Sequence, residues 1–217
     1  MPAEQIHLVR HGEVSNPQGV LYGRLPGYGL SDLGLRMAEA AAADLVSRRR
    51  PVSAIVVSPL QRTRESAAPI AAAFELEPII DERVIEPTNR FEGTRMRGPG
   101  GSLRRPANWP ALMNPWRPGW GEPYRAVVAR MVAAIVDASA SVDGGDVVVV
   151  SHQMPIWMTH LHLAGQPLAH DPRRRRCALS SITTLEPSSS AARGLVEIGY
   201  RDPAAALAAG ASDVGAV

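Results

Sequence analysis

Four consecutive valines at positions 147–150 lie between an Asp-Gly-Gly-Asp turn and the pair Ser151-His152. A strand that is apolar at every position is typical of a parallel sheet that is buried on both faces. Two similar short runs, at 6–9 and 54–57, precede it in the chain, and helical stretches separate the three. Strands that alternate with helices predict an α/β fold, a three-layer α/β/α sandwich with a largely parallel central sheet.

Capping and breaking residues bound the predicted helices. A helix predicted over 31–49 begins at Ser31, whose hydroxyl can cap it, and ends before Pro51. A second helix, over 58–74, has Pro59 in its first turn, where proline is tolerated. The remaining predicted elements are a short strand at 78–80, helices at 122–140 and 155–163, and a strand pair at 181–185 and 195–200.

The length of 217 residues predicts a single domain, which we place at residues 1–202. An irregular insertion at about 87–121 is rich in proline and holds three tryptophans, Trp109, Trp116 and Trp120. We expect the insertion to be ordered because tryptophan is useful when buried, either as a lid over a substrate or as a core of its own. The alanine-rich tail, 203–217, is expected to be a frayed helix or disordered.

All 23 basic residues are arginines, and the chain has no lysine. A P-loop of the GxxxxGK[ST] type and the usual protein-kinase pattern both need lysine, so both are excluded. Schiff-base chemistry needs a lysine amine and is excluded too. Arginine is well suited to anions, because the planar guanidinium binds phosphate or carboxylate through two hydrogen bonds.

Other features indicate a cytoplasmic protein. The lone cysteine, Cys177, cannot form an internal disulfide, and we read it as a small buried apolar residue. The first residues show no secretory signal pattern, and no apolar run has the length of a membrane span. The net charge of +2 does not suggest a nucleic-acid partner. An apolar edge strand in such a sheet can pair with its twin, so a homodimer is one expectation.

Two of the predicted strands end in a histidine. His11 follows the first strand and His152 follows the valine strand. Because ligands bind at the carboxyl ends of parallel strands, we expect both histidines at one edge, together with Arg10 and Arg62. Two imidazoles and two guanidiniums form a cationic cup that suits a phosphoryl group.

A histidine in such a cup can accept a phosphoryl group covalently, with arginine charge stabilising the transition state. A carboxyl group is then needed to protonate the leaving oxygen and later to activate water. Glu86, at the start of the insertion, is our candidate, and Glu82 and Glu92 are alternatives.

Several motifs resemble those of the histidine phosphatase superfamily, the phosphoglycerate-mutase-like family, and they occur in family order. They are Leu8-Val9-Arg10-His11-Gly12-Glu13, Tyr22-Gly23-Arg24, Leu30-Ser31-x-x-Gly34, Ser58-Pro59-Leu60-Gln61-Arg62, Arg83-Val84-Ile85-Glu86 with Glu92-Gly93, Gly121-Glu122 and Val149-Val150-Ser151-His152. The ordered set, which spans residues 6 to about 160, is far more specific than any one motif.

The resemblance implies catalytic roles for five residues. His11 is the phosphorylated nucleophile, Arg10, Arg62 and His152 hold the phosphoryl group, and Glu86 is the acid and base. It implies no metal and no organic cofactor. It also implies that the substrate is a small phosphorylated molecule.

The resemblance also suggests substrate contacts from Asn16, Gly23 and Gln153. Two departures from the family pattern bear on them: the loop that holds Asn16 is one residue shorter than usual, and Gln153 replaces the glycine that usually follows the second histidine.

The residues after the acid favour a phosphatase. The mutase branch has a Glu-Arg-x-Tyr-Gly run, whereas this chain has Glu86-Pro87-Thr88-Asn89-Arg90. A mutase of phosphoglycerate or phosphosugars, and a weakly catalytic module that binds a phosphorylated ligand, are the alternatives.

Some charged residues outside these motifs have plainer interpretations. His160 and His162 are two apart and do not share a helix face, so packing or surface roles are expected rather than a metal site. The basic run at 173–176 is expected to be a solvated loop, although it can also attract anions.

Overall fold

The computed structural model describes residues 2–96, 101–112 and 120–213. Trp116 and positions 214–217 of the tail therefore lie outside the described residues. The fold is the expected α/β/α sandwich around a six-stranded sheet of order β3-β2-β4-β1-β5-β6. Its strands are β1 Ile6–Arg10, β2 Val52–Val57, β3 Ile79–Ile80, β4 Asp146–Ser151, β5 Ile182–Pro187 and β6 Leu195–Arg201.

Four strands of the sheet are parallel. β4 pairs with β1 on one side and β2 on the other, and β3 extends the parallel part. β5 runs antiparallel to β1, and β6 antiparallel to β5. The prediction of a largely parallel sheet is thereby confirmed, and the predicted terminal strand pair forms its antiparallel margin.

Helices cover both faces of the sheet. They are α1 Asp32–Ser47, α2 Gln61–Phe74, α4 Tyr124–Ala140 and α5 Gln153–Leu163, whereas the four-residue α3 Trp109–Leu112 lies in the insertion. Alternate residues of each strand face opposite layers. Val148 packs with residues of α1 and α2 such as Leu45, whereas Val149 packs with Met131 of α4 and Ile156 of α5.

The second helix begins later than predicted. α2 starts at Gln61 rather than at Ser58, because Ser58 is still bonded to β4 through its backbone N–H. Pro59 therefore lies in the turn before the helix, and Pro69 is the proline within it. The three residues between β2 and α2 give Ser58 a position at the sheet edge, which matters for the site.

The described part of 87–121 contains short 3₁₀ turns at Ser102–Arg104 and Pro106–Asn108 before α3. Its tryptophans do not form one buried core in the described part of the chain. Trp109 is 52% exposed, whereas Trp120 packs against the cluster of Tyr124 and Trp157.

The described part of the tail contains one short helical segment. A 3₁₀ helix at Ala205–Gly210 follows β6. Leu207 and Ala211 pack against Met37 and Leu179, which supplies the apolar contact that holds the tail on the domain. No helix in the described ranges is long and apolar enough to cross a membrane.

Candidate active site

His11 lies directly after β1, an inner strand that is hydrogen-bonded on both sides. Its backbone N–H donates to Ser151 of β4, so the residue is held at the carboxyl edge of the sheet. Gly12 then passes so close to Gly34 that a Cβ at position 12 would overlap the Gly34 backbone. This close approach explains why glycine follows the histidine.

The His11 imidazole is oriented as a nucleophile. Nδ1 lies 2.7 Å from the carbonyl oxygen of Gly12, which can only accept, so Nδ1 carries the proton and Nε2 has the free electron pair. Burial, with the charges of Arg62 and Arg10, holds the pKa of His11 well below its usual 6.5. The ring is therefore neutral at physiological pH.

Arg62 reaches the site from the first turn of α2. Its Nε lies 3.3 Å from Nε2 of His11, and one terminal nitrogen donates to the carbonyl of Gly23 at 2.8 Å. The guanidinium also lies over the ring of Tyr22, at 4.8 Å from the centroid. Arg62 is thus fixed by three groups beside the nucleophilic nitrogen.

Arg10, the last residue of β1, is fully buried. One terminal nitrogen donates to the carbonyl of Cys177 at 2.6 Å. Both terminal nitrogens also bind the carboxylate of Asp213, a residue of the tail. The guanidinium is therefore held by two residues of the C-terminal part of the chain, Cys177 and Asp213.

His152 follows β4 and completes the cup. Its ring meets that of His11 edge to face, with centroids 5.3 Å apart. Nε2 lies 2.7 Å from the hydroxyl of Ser58, and burial followed by the charge of Arg62 holds the pKa of His152 well below 6.5. With the Ser58 hydroxyl as donor, the proton of the neutral ring lies on Nδ1.

Glu86 is the carboxyl group of the site. It is 2% exposed, and its Oε2 lies 3.5 Å from Nδ1 of His152. Burial raises the pKa of Glu86 to about 7, although Arg62, Arg175 and other cations oppose the rise. Neither alternative has this placement, because Glu82 is exposed and Glu92 accepts backbone N–H groups of Arg24 and Asn89.

Three polar atoms of the site have no hydrogen-bond partner among the described residues. They are Nε of Arg10, Nδ1 of His152 and Oε1 of Glu86, and all are buried. An unsatisfied buried polar group costs about 1–3 kcal/mol. A ligand with several acceptor oxygens would accept from Arg10 and His152, and one of those oxygens would receive the proton of a neutral Glu86.

Of the three residues suggested as substrate contacts, Gly23 and Gln153 border this cup, and Asn16 lies in the loop after the nucleophile. Gly23 has a positive φ of 41° and contributes the carbonyl that holds Arg62. The amide of Asn16 bonds both backbone groups of Val20 and so shapes its loop. Gln153 begins α5, and its side-chain oxygen accepts from Arg175 at 3.2 Å. Their contact with substrate stays a prediction.

Four further residues belong to the site, and none of them had a role predicted from the sequence. Tyr22 lies beneath Arg62, Ser58 contacts His152, Asp213 binds Arg10, and Arg175 approaches Glu86. The Tyr22-Gly23-Arg24 motif was a usable signal for Tyr22. Asp213 had none, because its contact with Arg10 spans 203 positions of the chain.

The basic run at 173–176 is only partly the solvated loop that was expected. Arg173 and Arg174 are exposed, and Arg176 pairs with Glu197. Arg175 is instead partly buried, where Nε donates to His170 at 2.9 Å and its charge opposes the raised pKa of Glu86.

Two residues outside the motifs, Cys177 and His160, have the packing roles expected from the sequence. Cys177 is buried, and burial raises the pKa of its thiol to about 11. His160 pairs with Glu197 and stacks on Trp157. Within the ranges that the structure describes, no group of three or more histidine, cysteine or acidic side chains is placed to hold a metal ion.

Known proteins are similar to this chain in sequence and in fold. The model of the histidine phosphatase superfamily (branch 1) matches residues 6–196. An uncharacterized protein of Mycobacterium tuberculosis is 50% identical over 207 residues, which cover 94% of this chain and 100% of that protein. A metal-independent phosphoserine phosphatase of Arabidopsis thaliana is 28% identical over 153 residues, covering 68% of this chain and 63% of that one. The solved mycobacterial glucosyl-3-phosphoglycerate phosphatase is 25% identical with a TM-score of 0.69, covering 91% and 96%.

Proposed function

Because the chain belongs to branch 1 of the histidine phosphatase superfamily, we propose that it hydrolyses small phosphate monoesters through a phosphohistidine at His11. The observation that carries this proposal is the placement of a buried carboxyl, Glu86, in a cup of two arginines and two neutral histidines. Binding of a phosphoryl dianion needs the cations, and cleavage of an ester needs the acid.

The first chemical step is phosphoryl transfer to the protein. Nε2 of His11 attacks the phosphorus atom as the P–O bond of the ester breaks, and Glu86 gives its proton to the leaving oxygen. Arg10 and Arg62 stabilise the charge on the equatorial oxygens. Nδ1 of His152 donates a hydrogen bond to one of those oxygens.

The second step returns the protein to its starting state. Water attacks the phosphorus atom while the P–N bond breaks, and the Glu86 carboxylate accepts a proton from that water. Inorganic phosphate then leaves. A pKa of about 7 suits Glu86 to both directions of proton transfer at neutral pH.

Relatives support phosphate-ester chemistry of this kind. The similar protein of Arabidopsis thaliana is a metal-independent phosphoserine phosphatase, and the similar solved structure is a glucosyl-3-phosphoglycerate phosphatase. We infer that this chain likewise acts without a metal, in the cytoplasm, and on a small substrate rather than on nucleic acid.

The test is a turnover screen against a panel of phosphate monoesters, with phosphate release as the readout. We expect hydrolysis by the wild-type protein, none by His11→Ala, and no loss with a chelator. Acid-labile label on the protein after quenching with a ³²P-ester would mark the phosphohistidine. Full activity of a folded His11→Ala protein would refute the mechanism.

Labelled 3-phosphoglycerate separates the alternatives. Release of inorganic phosphate supports the hydrolase, whereas appearance of 2-phosphoglycerate would replace it by a mutase. A protein that binds phosphate but turns over no ester and traps no phosphohistidine would be a binding module.

A further inference from the structure

The C-terminal tail returns to the active site. After the 3₁₀ helix, Ala211 packs beside Met37 of α1, and the backbone N–H of Ser212 donates to Oε1 of Glu13 at 2.5 Å. Glu13 is the residue that ends the Arg-His-Gly-Glu motif, and its other oxygen accepts from Ser31, the cap of α1. Two independent contacts therefore place residue 213 next to the nucleophile loop.

Asp213 binds Arg10 with both oxygens. Oδ2 accepts from one terminal nitrogen at 2.9 Å, and Oδ1 accepts from the other. Although burial alone would lower the pKa of Arg10, the charge and hydrogen bonds of Asp213 raise it above its usual value. The pair is a bidentate arginine–carboxylate contact, which fixes orientation as well as charge.

We propose that Asp213 is a positioning residue for phosphoryl transfer, because it holds the Arg10 guanidinium with Nε facing the phosphoryl group. The proposal rests on the proposed function, since Arg10 is useful in this way only if a phosphoryl group occupies the cup.

The contacts of Asp213 favour a role in holding Arg10 over a role as a competitor of the phosphoryl group. Asp213 occupies the two terminal nitrogens of Arg10, and Nε stays buried without a partner among the described residues. Within that part of the chain, the hydrogen bonds of the Asp213 side chain go to Arg10 and not to Arg62 or His152. Its side chain is 42% exposed, whereas those of Arg10 and His152 are fully buried. Asp213 is thus the solvent-exposed partner of a buried arginine.

Removal of this carboxylate leaves Arg10 with one acceptor among residues 2–96, 101–112 and 120–213, the carbonyl of Cys177. A buried guanidinium that lacks its acceptors tilts toward whatever oxygen it can reach. Since catalysis depends on the placement of charge at the transition state, a small tilt costs turnover more than it costs binding of the ground state.

The experiment compares Asp213→Asn and Asp213→Glu with the wild-type chain. Calorimetry measures the Kd of inorganic phosphate and of orthovanadate, which mimics the transferring phosphoryl group, and needs no turnover. For Asp213→Asn we expect a Kd for vanadate that is roughly tenfold weaker, a smaller change for phosphate, and kcat lowered more than KM changes. Asp213→Glu keeps the carboxylate and should recover most of the loss.

The matched control is Asp137→Asn, which removes an exposed carboxylate from its pair with Arg83, away from the cup. It should leave both Kd values and kcat unchanged. Phosphate and vanadate that bind Asp213→Asn as tightly as wild type, or more tightly, would overturn the proposal, because Asp213 would then be idle or a competitor. Absence of ester turnover by the wild-type chain, with vanadate binding intact, would instead overturn the proposed function alone.

Discussion

The hydroxyl of Ser58 lies 2.7 Å from Nε2 of His152, while the other ring nitrogen, Nδ1, lies toward Glu86. A neutral ring has one donor nitrogen and one acceptor nitrogen. With Ser58 as donor to Nε2, the donor nitrogen is Nδ1, which lies 3.5 Å from Glu86 and has no hydrogen-bond partner in the described chain.

Ser58→Ala should therefore reduce catalysis without loss of the cup. The variant lets the His152 ring adopt the other tautomer, which presents an electron pair to the phosphoryl oxygens. We expect kcat to fall roughly tenfold, because that change corresponds to the loss of one hydrogen bond to a charged group in the transition state. Steady-state kinetics measure this, with Ser139→Ala, a buried serine on α4, as the control. Unchanged kcat in Ser58→Ala would show that the tautomer has no role.

The pH dependence of kcat/KM should have an alkaline limb near pH 7. Glu86 must be protonated to serve as the acid, and its pKa is raised to about 7. The limb should disappear in Glu86→Gln, along with most activity. His11 contributes no limb near 6.5, because burial holds its pKa well below that value. A rate that stays flat from pH 6 to 9 in the wild-type protein would contradict the assignment of Glu86.

Glu86 also makes stability depend on pH. Because its folded pKa of about 7 exceeds the usual 4.5, the unfolded chain releases this proton first as the pH rises. The contribution of Glu86 is complete below pH 4.5 and is lost as the pH rises to 7. Urea unfolding at pH 4.5 and 8 should show that Glu86→Gln gains stability relative to wild type at the higher pH. An equal difference at both pH values would contradict this.

Gly23→Ala should damage the site, and Gly27→Ala provides a matched control. Both glycines have positive φ, at 41° and 83°, so each substitution costs about 1 kcal/mol of backbone strain. A Cβ at position 23 would overlap the Glu92 side chain and shift the carbonyl that holds Arg62, whereas nothing lies within 4 Å of a Cβ at 27. We expect a larger loss of Tm for Gly23→Ala, because the overlap adds to the strain that both variants share, and a large loss of kcat/KM for Gly23→Ala alone. Unchanged kcat/KM in Gly23→Ala would show that this carbonyl does not position Arg62.

Arg175 should favour substrates whose leaving group carries a second negative charge. It approaches Glu86, the acid on the leaving-group side, and is held by Gln153 and His170. The measurement is the ratio of kcat/KM for 3-phosphoglycerate to that for glycerol 3-phosphate, which lacks the carboxylate. Arg175→Met should lower this ratio, roughly tenfold for one charged hydrogen bond, and the exposed Arg174→Met should not. An unchanged ratio in Arg175→Met would place the leaving group elsewhere.

Much of the fold was predictable because the inner parallel strands are largely apolar, and because α1 and α4 bury one face. Short-range rules also located the histidines, since the residues after parallel strands meet at one edge. The start of α2 was misplaced because Pro59 suits a first helical turn, whereas the backbone of Ser58 is bonded to β4. That error hid the role of Ser58 at the sheet edge.

The supporting residues were harder to predict for a physical reason. Arg175 lies among four consecutive arginines, and only packing distinguishes it from its exposed neighbours Arg173 and Arg174. Asp213 lies in an alanine-rich tail whose local sequence predicts no structure. Its position depends on Met37 and Glu13, which are far away in the chain and close in space.

β1 lies inside the sheet, whereas Glu86 and Asp213 lie on segments outside it. We expect the backbone amides of these two parts of the site to exchange at different rates. The backbone amides of β1 are bonded to β4 and β5, so they should exchange with deuterium only through global unfolding. Glu86 and Asp213 instead lie on segments outside the sheet, whose amides can open locally. We therefore expect the segments that hold Glu86 and Asp213 to open and close locally while the strand that ends at the nucleophile keeps its position.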